Sequence, residues 1–100
     1  MTKHTEVYVY EISDENIPAF LDIKEKLIAE AHSLPGLLAS ATYRSAATPN
    51  LFMDRMHWRD AAAAEEGNRL FQSLPTTPAF LALMAAPPKL AGPMDLIAGE

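Results

Sequence analysis

Three features of the 100-residue chain predict an α+β fold running strand, helix, strand, strand, helix, strand. Residues 5–12 alternate, with Val7 and Val9 on one face and Tyr8, Tyr10 and Ile12 on the other. A strand apolar on both faces belongs in a sheet covered on both sides. Phe20, Ile23, Leu27, Ala31 and Leu34 then recur at spacings of three and four, the stripe of an amphipathic helix. Finally, the alternation of Leu51–Trp58 leads into Asp60 and four consecutive alanines, a strand followed by a capped helix. This order is the split βαβ, ferredoxin-like arrangement with an antiparallel sheet.

Each element has its own signal. Ser13, Asp14, Glu15 and Asn16 supply cap chemistry before the first helix, and Pro18 suits a first helical turn. Asp22, Lys24, Glu25, Lys26 and Glu30 fall mostly on its other faces, and Pro35-Gly36 ends it. Residues 37–46 form the second strand, and Thr48-Pro49-Asn50 turns the chain into the third. On that third strand Phe52, Asp54, Met56 and Trp58 share one face, while Leu51, Met53, Arg55 and His57 share the other. Ala64, Gly67, Phe71 and Leu74 make the stripe of the second helix, where Gly67 marks close approach to the sheet. Pro75 breaks that helix, and residues 77–84 start a short one. The Pro-rich stretch from 87 to 93 reads as a loop, and residues 94–98 as the last strand. No repeat or linker divides the chain, so residues 1–100 are one domain.

Composition bounds the function. Hydrophobic residues make up 49%, but 17 of them are alanine, so the core of a single copy is thin. No apolar run approaches the roughly 20 residues of a membrane span. Without cysteine there is no disulfide framework, thiolate zinc site or thiol catalysis. The N-terminus lacks the basic-then-apolar layout of a secretion signal, so a cytoplasmic location is expected. A net charge of −5 argues against a nucleic-acid partner. The four glycines form no phosphate loop, and the histidines at 4, 32 and 57 have no metal-ligand spacing, so no metal is expected.

The third strand is the richest segment. Asp54 projects between Phe52, Met56 and Trp58. An unpaired carboxylate in such surroundings holds its proton more tightly, which suits proton abstraction from a bound organic molecule. Alternatively, it bonds a tyrosine or an arginine such as Arg44 on a neighbouring strand. Tyr8, Tyr10 and Tyr43 line a pocket or pack the core. Val7, Val9, Leu51 and Met53 leave the opposite sheet face half apolar, and a second copy of the sheet is the simplest cover. Arg55 and His57 would then be interface residues.

The whole chain resembles the antibiotic biosynthesis monooxygenase-like domains, which are dimeric α+β barrels. Leu34-Pro35-Gly36-Leu37 carries the resemblance where it leaves the first helix. So does Phe52-Met53-Asp54-Arg55-Met56-His57-Trp58 as it runs into Arg59-Asp60-Ala61-Ala62-Ala63-Ala64, and Pro78-Ala79-Phe80-Leu81 looks like the helix-terminal segment. The resemblance implies a homodimer with sheets packed face to face. Each sheet and its own helices would enclose a cavity for a small hydrophobic or aromatic ligand. Trp58 matches the family's cavity tryptophan. The implied activity is a cofactor-independent monooxygenase of an aromatic or quinol-type substrate, needing no cofactor. Asp54 would be the base and Trp58 the wall, with Tyr8, Tyr10, Tyr43, Arg44, Phe52 and Met56 holding the substrate. The haem-degrading branch adds an Asn on the first strand and a His on the second helix. Here the first strand is Val7-Tyr8-Val9-Tyr10, and residues 61–73 contain no His. The quinol-oxidising branch uses an Asn near its Trp, and none is visible in the sequence. The alternative is a non-catalytic ligand-binding or sensing dimer of the same fold.

Overall fold

A computed structural model describes residues 4–84, 86, 89–95 and 97–99. Its elements are β1 (His4–Glu11), α1 (Ile17–Ala31), β2 (Leu37–Arg44), β3 (Leu51–Trp58), α2 (Ala61–Phe71), α3 (Thr77–Ala82) and β4 (Lys89–Asp95). The strands form one antiparallel sheet in the order β2-β3-β1-β4, the ferredoxin-like arrangement.

Register carries the predicted faces into the sheet. Tyr8 pairs with Asp54 and Tyr10 with Phe52 across β1 and β3, while Thr42 pairs with Asp54 across β2 and β3. One face therefore presents Glu6, Tyr8 and Tyr10 beside Phe52, Asp54, Met56 and Trp58. Val7, Val9, Met53 and Arg55 point the other way. The helices pack on the first face. Tyr10, Phe52 and Ile12 meet Phe20 and Leu27 of α1 and Phe80 of α3 in one core cluster. Trp58 meets Ala31, Leu34, Ala63 and Ala64 in a second.

Small residues set the second cluster's geometry. A β-carbon at Gly67 would come within 2.1 Å of the Trp58 ring, so α2 lies directly on the indole, as the glycine in its stripe predicts. Gly36 adopts φ +79, and its carbonyl accepts from the Arg59 amide at 2.8 Å, locking the turn after α1 to the end of β3. Asp60 caps α2 by accepting from the Ala63 amide at 2.8 Å, and this bond holds its carboxyl below the usual carboxylate range.

Several boundaries and one face differ from the sequence expectation; α1, α2 and α3 end at Ala31, Phe71 and Ala82, two or three residues before the positions expected. β4 spans Lys89–Asp95 rather than residues 94–98 and takes in much of the stretch expected to be a loop. Gly92 and Pro93 argue locally against a strand, but β4 is an edge strand, where a proline costs no ladder bond on its open side. β2 ends at Arg44, before the bends of residues 46–48. Lys24, expected on the solvent side of α1, turns inward. It stands four residues after Phe20 and three before Leu27, which places it on the buried stripe.

Candidate functional site

Between the sheet and the helices lies a partly open cavity of about 280 Å³. Tyr8, Tyr10, Asp54 and Met56 supply its floor from β1 and β3, and Ser40, Ala41 and Thr42 extend it onto β2. Lys24 and Leu27 of α1, Asn68 and Phe71 of α2, and Phe80 and Leu81 of α3 are among the residues that wall it on the helix side. A mostly apolar lining with a few convergent polar groups is the usual make-up of a small-molecule site.

Asp54 gathers those polar groups. Its Oδ1 accepts from the Tyr10 hydroxyl at 2.8 Å and from Thr42 Oγ1 at 2.9 Å, and its Oδ2 accepts from the Lys24 ammonium. The Lys24 and Asp54 side chains are only 12% and 13% exposed, so their charges face each other in a largely dry space. The carboxylate is therefore paired, the alternative that the sequence allows, but its cation is Lys24 rather than Arg44. Lys24 Nζ also sits 4.3 Å from the centroid of the Phe80 ring and 5.7 Å from that of Tyr10. Burial pushes the lysine's pKa down, while the Asp54 charge opposes it. Burial and the neighbouring carboxylate together raise the pKa of the Tyr10 hydroxyl far above its usual range.

A second carboxylate lies on the same sheet face, behind the cavity lining at the Tyr8 and Asn68 end. Glu6 is buried, and its Oε1 accepts from the Trp58 indole at 3.1 Å and from the Asn68 amide at 2.9 Å, with the Tyr8 hydroxyl at 3.4 Å. The Asn68 amide also reaches Oε2 at 3.0 Å. Burial, then the Glu6 charge, pushes the Tyr8 hydroxyl up to about 12. An asparagine does therefore stand near Trp58, joined to it through Glu6. Ten residues separate the two in sequence, on different elements, so no local motif shows the pair.

The predicted site residues separate accordingly. Tyr8, Tyr10, Asp54 and Met56 share the cavity wall. Trp58 is 1% exposed and lies behind that wall, bonded to Glu6. Phe52 is core, stacked on Tyr10 with centroids 6.1 Å apart. Arg44 points out of the site: it donates to the Pro49 carbonyl at 2.7 Å and lies over the Phe52 ring. Tyr43 stands on the opposite sheet face beneath the Arg55 guanidinium. Tyr43 is misplaced by strand parity, because Thr42 occupies the inward position beside Asp54. Arg44 shares that inward face but ends β2 opposite Phe52, where its side chain turns to the Pro49 carbonyl instead of the cavity. Lys24, Glu6 and Asn68 escape the sequence reading because charged and amide residues in an amphipathic pattern are ordinarily assigned to solvent. For Lys24 and Glu6 the stripe and the strand parity already hold the signal. Among the described residues no cluster of His, Cys, Asp and Glu could hold a metal ion.

No protein-family profile and no curated protein matches this sequence. Solved structures do match it. An antibiotic biosynthesis monooxygenase superposes with a TM-score of 0.78 at 20% identity, covering 98% of this chain and 100% of that one. A mutant of SnoaB, a cofactor-independent oxygenase from Streptomyces nogalater, superposes at 0.75 with 17% identity, covering 98% and 94%. A conserved protein from Methanosarcina mazei Go1 reaches 0.81 at 16% identity over 94% and 92%. The chain thus has the ferredoxin-like α+β fold of the antibiotic biosynthesis monooxygenase-like domains. Among the described residues, no helix is long and apolar enough to cross a membrane.

Proposed function

We propose that this protein binds a small aromatic molecule in the cavity beside Asp54 and oxidises it with molecular oxygen, without a cofactor. The observation that carries this reading is a buried carboxylate facing an apolar, aromatic-walled cavity of about 280 Å³. Since a dry cavity of about 150 Å³ holds one benzene, roughly two fused rings fit. Similarity to a cofactor-independent oxygenase supports the reaction class.

In this reading Asp54 accepts a proton from an activated C–H or O–H of the substrate, and the electron pair stays on the ring system. The resulting anion is the reductant. It passes one electron to oxygen, and the two radicals join in a carbon–oxygen bond. Asp54 returns its proton to the distal oxygen, giving a hydroperoxide. Loss of the remaining proton from that carbon, with cleavage of the O–O bond, releases water and leaves a carbonyl. Substrate plus oxygen thus becomes ketone or quinone plus water. Trp58 is a positioning residue: through Glu6 it fixes Tyr8 and Asn68 at one end of the cavity.

The protein acts as a homodimer in which the second copy covers the outer sheet face. Val7, Val9, Leu51 and Met53 lie there only half buried, and Arg55 Nε is buried without a hydrogen-bond partner among the described residues.

Oxygen uptake with anthrone and with 1,4-naphthoquinol tests the reading. Wild type consumes oxygen, Asp54→Asn loses about 100-fold in kcat, and Trp58→Phe raises KM more than it lowers kcat. Equal rates in all three remove both residues from the mechanism. Ligand-induced thermal stabilisation without oxygen uptake favours the non-catalytic binding module instead.

A further inference from the structure

We propose that Lys24 is the counter-cation for the ligand's oxyanion, and that the cavity therefore selects aromatics bearing an ionisable hydroxyl or enolisable carbonyl. This rests on the reading of the cavity as an aromatic site and names the ligand class it takes. The inference stands on geometry. The Lys24 ammonium lines the cavity with its side chain 12% exposed, bonded to Asp54 and seated over the Phe80 ring at 4.3 Å. Tyr10 and Thr42 donate their hydroxyls to Asp54 and so are not turned toward a ligand. Lys24 also bonds Asp54, but its ammonium carries three N–H donors where each hydroxyl carries one, so it is the donor best able to take a new partner.

The charge balance gives it a reason to do so. Before binding, the pair is one carboxylate and one ammonium. When a proton moves from the ligand's O–H or C–H to Asp54, the carboxyl becomes neutral and the negative charge appears on the ligand oxygen. The ammonium keeps its proton and turns to the new anion, so the cavity holds one positive and one negative charge before and after. A buried charge needs such a partner at every stage, because an unpaired ion in a low-dielectric space is strongly disfavoured. Burial lowers the affinity of Lys24 for its proton, and the opposing anion restores it, which favours binding of the ionised ligand.

Two probes of one shape test the assignment: 4-nitrophenol, whose ionised form is read by its visible absorbance, and 4-nitrotoluene, which cannot ionise. Both are titrated at pH 8 into Asp54→Asn and into the double variant Lys24→Met with Asp54→Asn. These two proteins differ at position 24 alone, where Met keeps an apolar stem of similar length without the ammonium, and no carboxylate is left at position 54 to confuse the reading. The double variant is expected to bind 4-nitrophenol at least about tenfold more weakly, with the bound phenolate absorbance lost, and to bind 4-nitrotoluene unchanged. Equal affinity for 4-nitrophenol in the two proteins overturns the proposal, as does an equal loss of both probes. Failure of wild type to bind either probe at millimolar concentration overturns the aromatic cavity itself. None of these readouts involves oxygen, so an absence of oxygen uptake counts against the oxidation alone.

Discussion

At Gly67 a β-carbon would stand 2.1 Å from two atoms of the Trp58 ring, which is itself only 1% exposed and bonded to Glu6, so neither partner has room to yield. Gly67→Ala is therefore expected to destabilise the fold by about 2 kcal/mol despite its better helix propensity, measured by denaturant unfolding. Lys24 and Asp54 invite a different comparison. Removing one member of a buried ion pair strands the other, so Lys24→Met is expected to lose about 3 kcal/mol, and adding Asp54→Asn recovers most of it. Tyr8 makes stability fall at alkaline pH. Its folded pKa, pushed up to about 12, lies above the ordinary tyrosine value of 10.0, so its contribution is fully present below pH 10 and is lost as pH rises toward 12. Melting temperatures of Tyr8→Phe are expected to fall less than those of wild type over that window. Asp54, Tyr8, Tyr10 and Met56 were legible because strand parity alone puts them on one face. Lys24, Glu6 and Asn68 meet their partners 30, 52 and 62 residues away in sequence, and such pairings are written in topology rather than in any local pattern.

Elements are legible where two signals agree and are obscured where a local signal opposes the tertiary context. α2 has its cap, its alanines and its glycine stripe, and the structure keeps all three. Asp60→Ala removes the bond to the Ala63 amide and is expected to lower stability by about 1 kcal/mol. Helical content in the far-ultraviolet should persist, since the packing of Ala63, Ala64 and Gly67 on Trp58 is untouched. β4 is the opposite case. Gly92 and Pro93 look like loop chemistry, yet β1 offers a row of paired positions from His4 to Val9, and an edge position accommodates the proline. A register shift between Val7 and Tyr8 marks where that edge departs from regular pairing.

For the whole molecule, the helices cover one sheet face and leave the other with half-buried Val7, Val9 and Met53 beside Arg55 and His57. The thin core implied by 17 alanines and the open face would both be met by the proposed second copy of the sheet. Solution scattering at micromolar concentration is expected to give twice the chain mass, and Val9→Glu to return it to one; a wild-type mass of one chain removes the dimer. The cavity lies on the covered side, between Asp54 and the helices, so the proposed ligand site and the proposed dimer interface fall on different faces of one sheet. The most direct test of the site is a crystal structure with 1,4-naphthoquinol grown without oxygen. The rings are expected between Tyr10, Met56 and Phe80, with one ligand oxygen within hydrogen-bonding distance of Lys24 or Asp54. A ligand seated on the outer sheet face, or a cavity closed by side chains with no room beside Asp54, would contradict it.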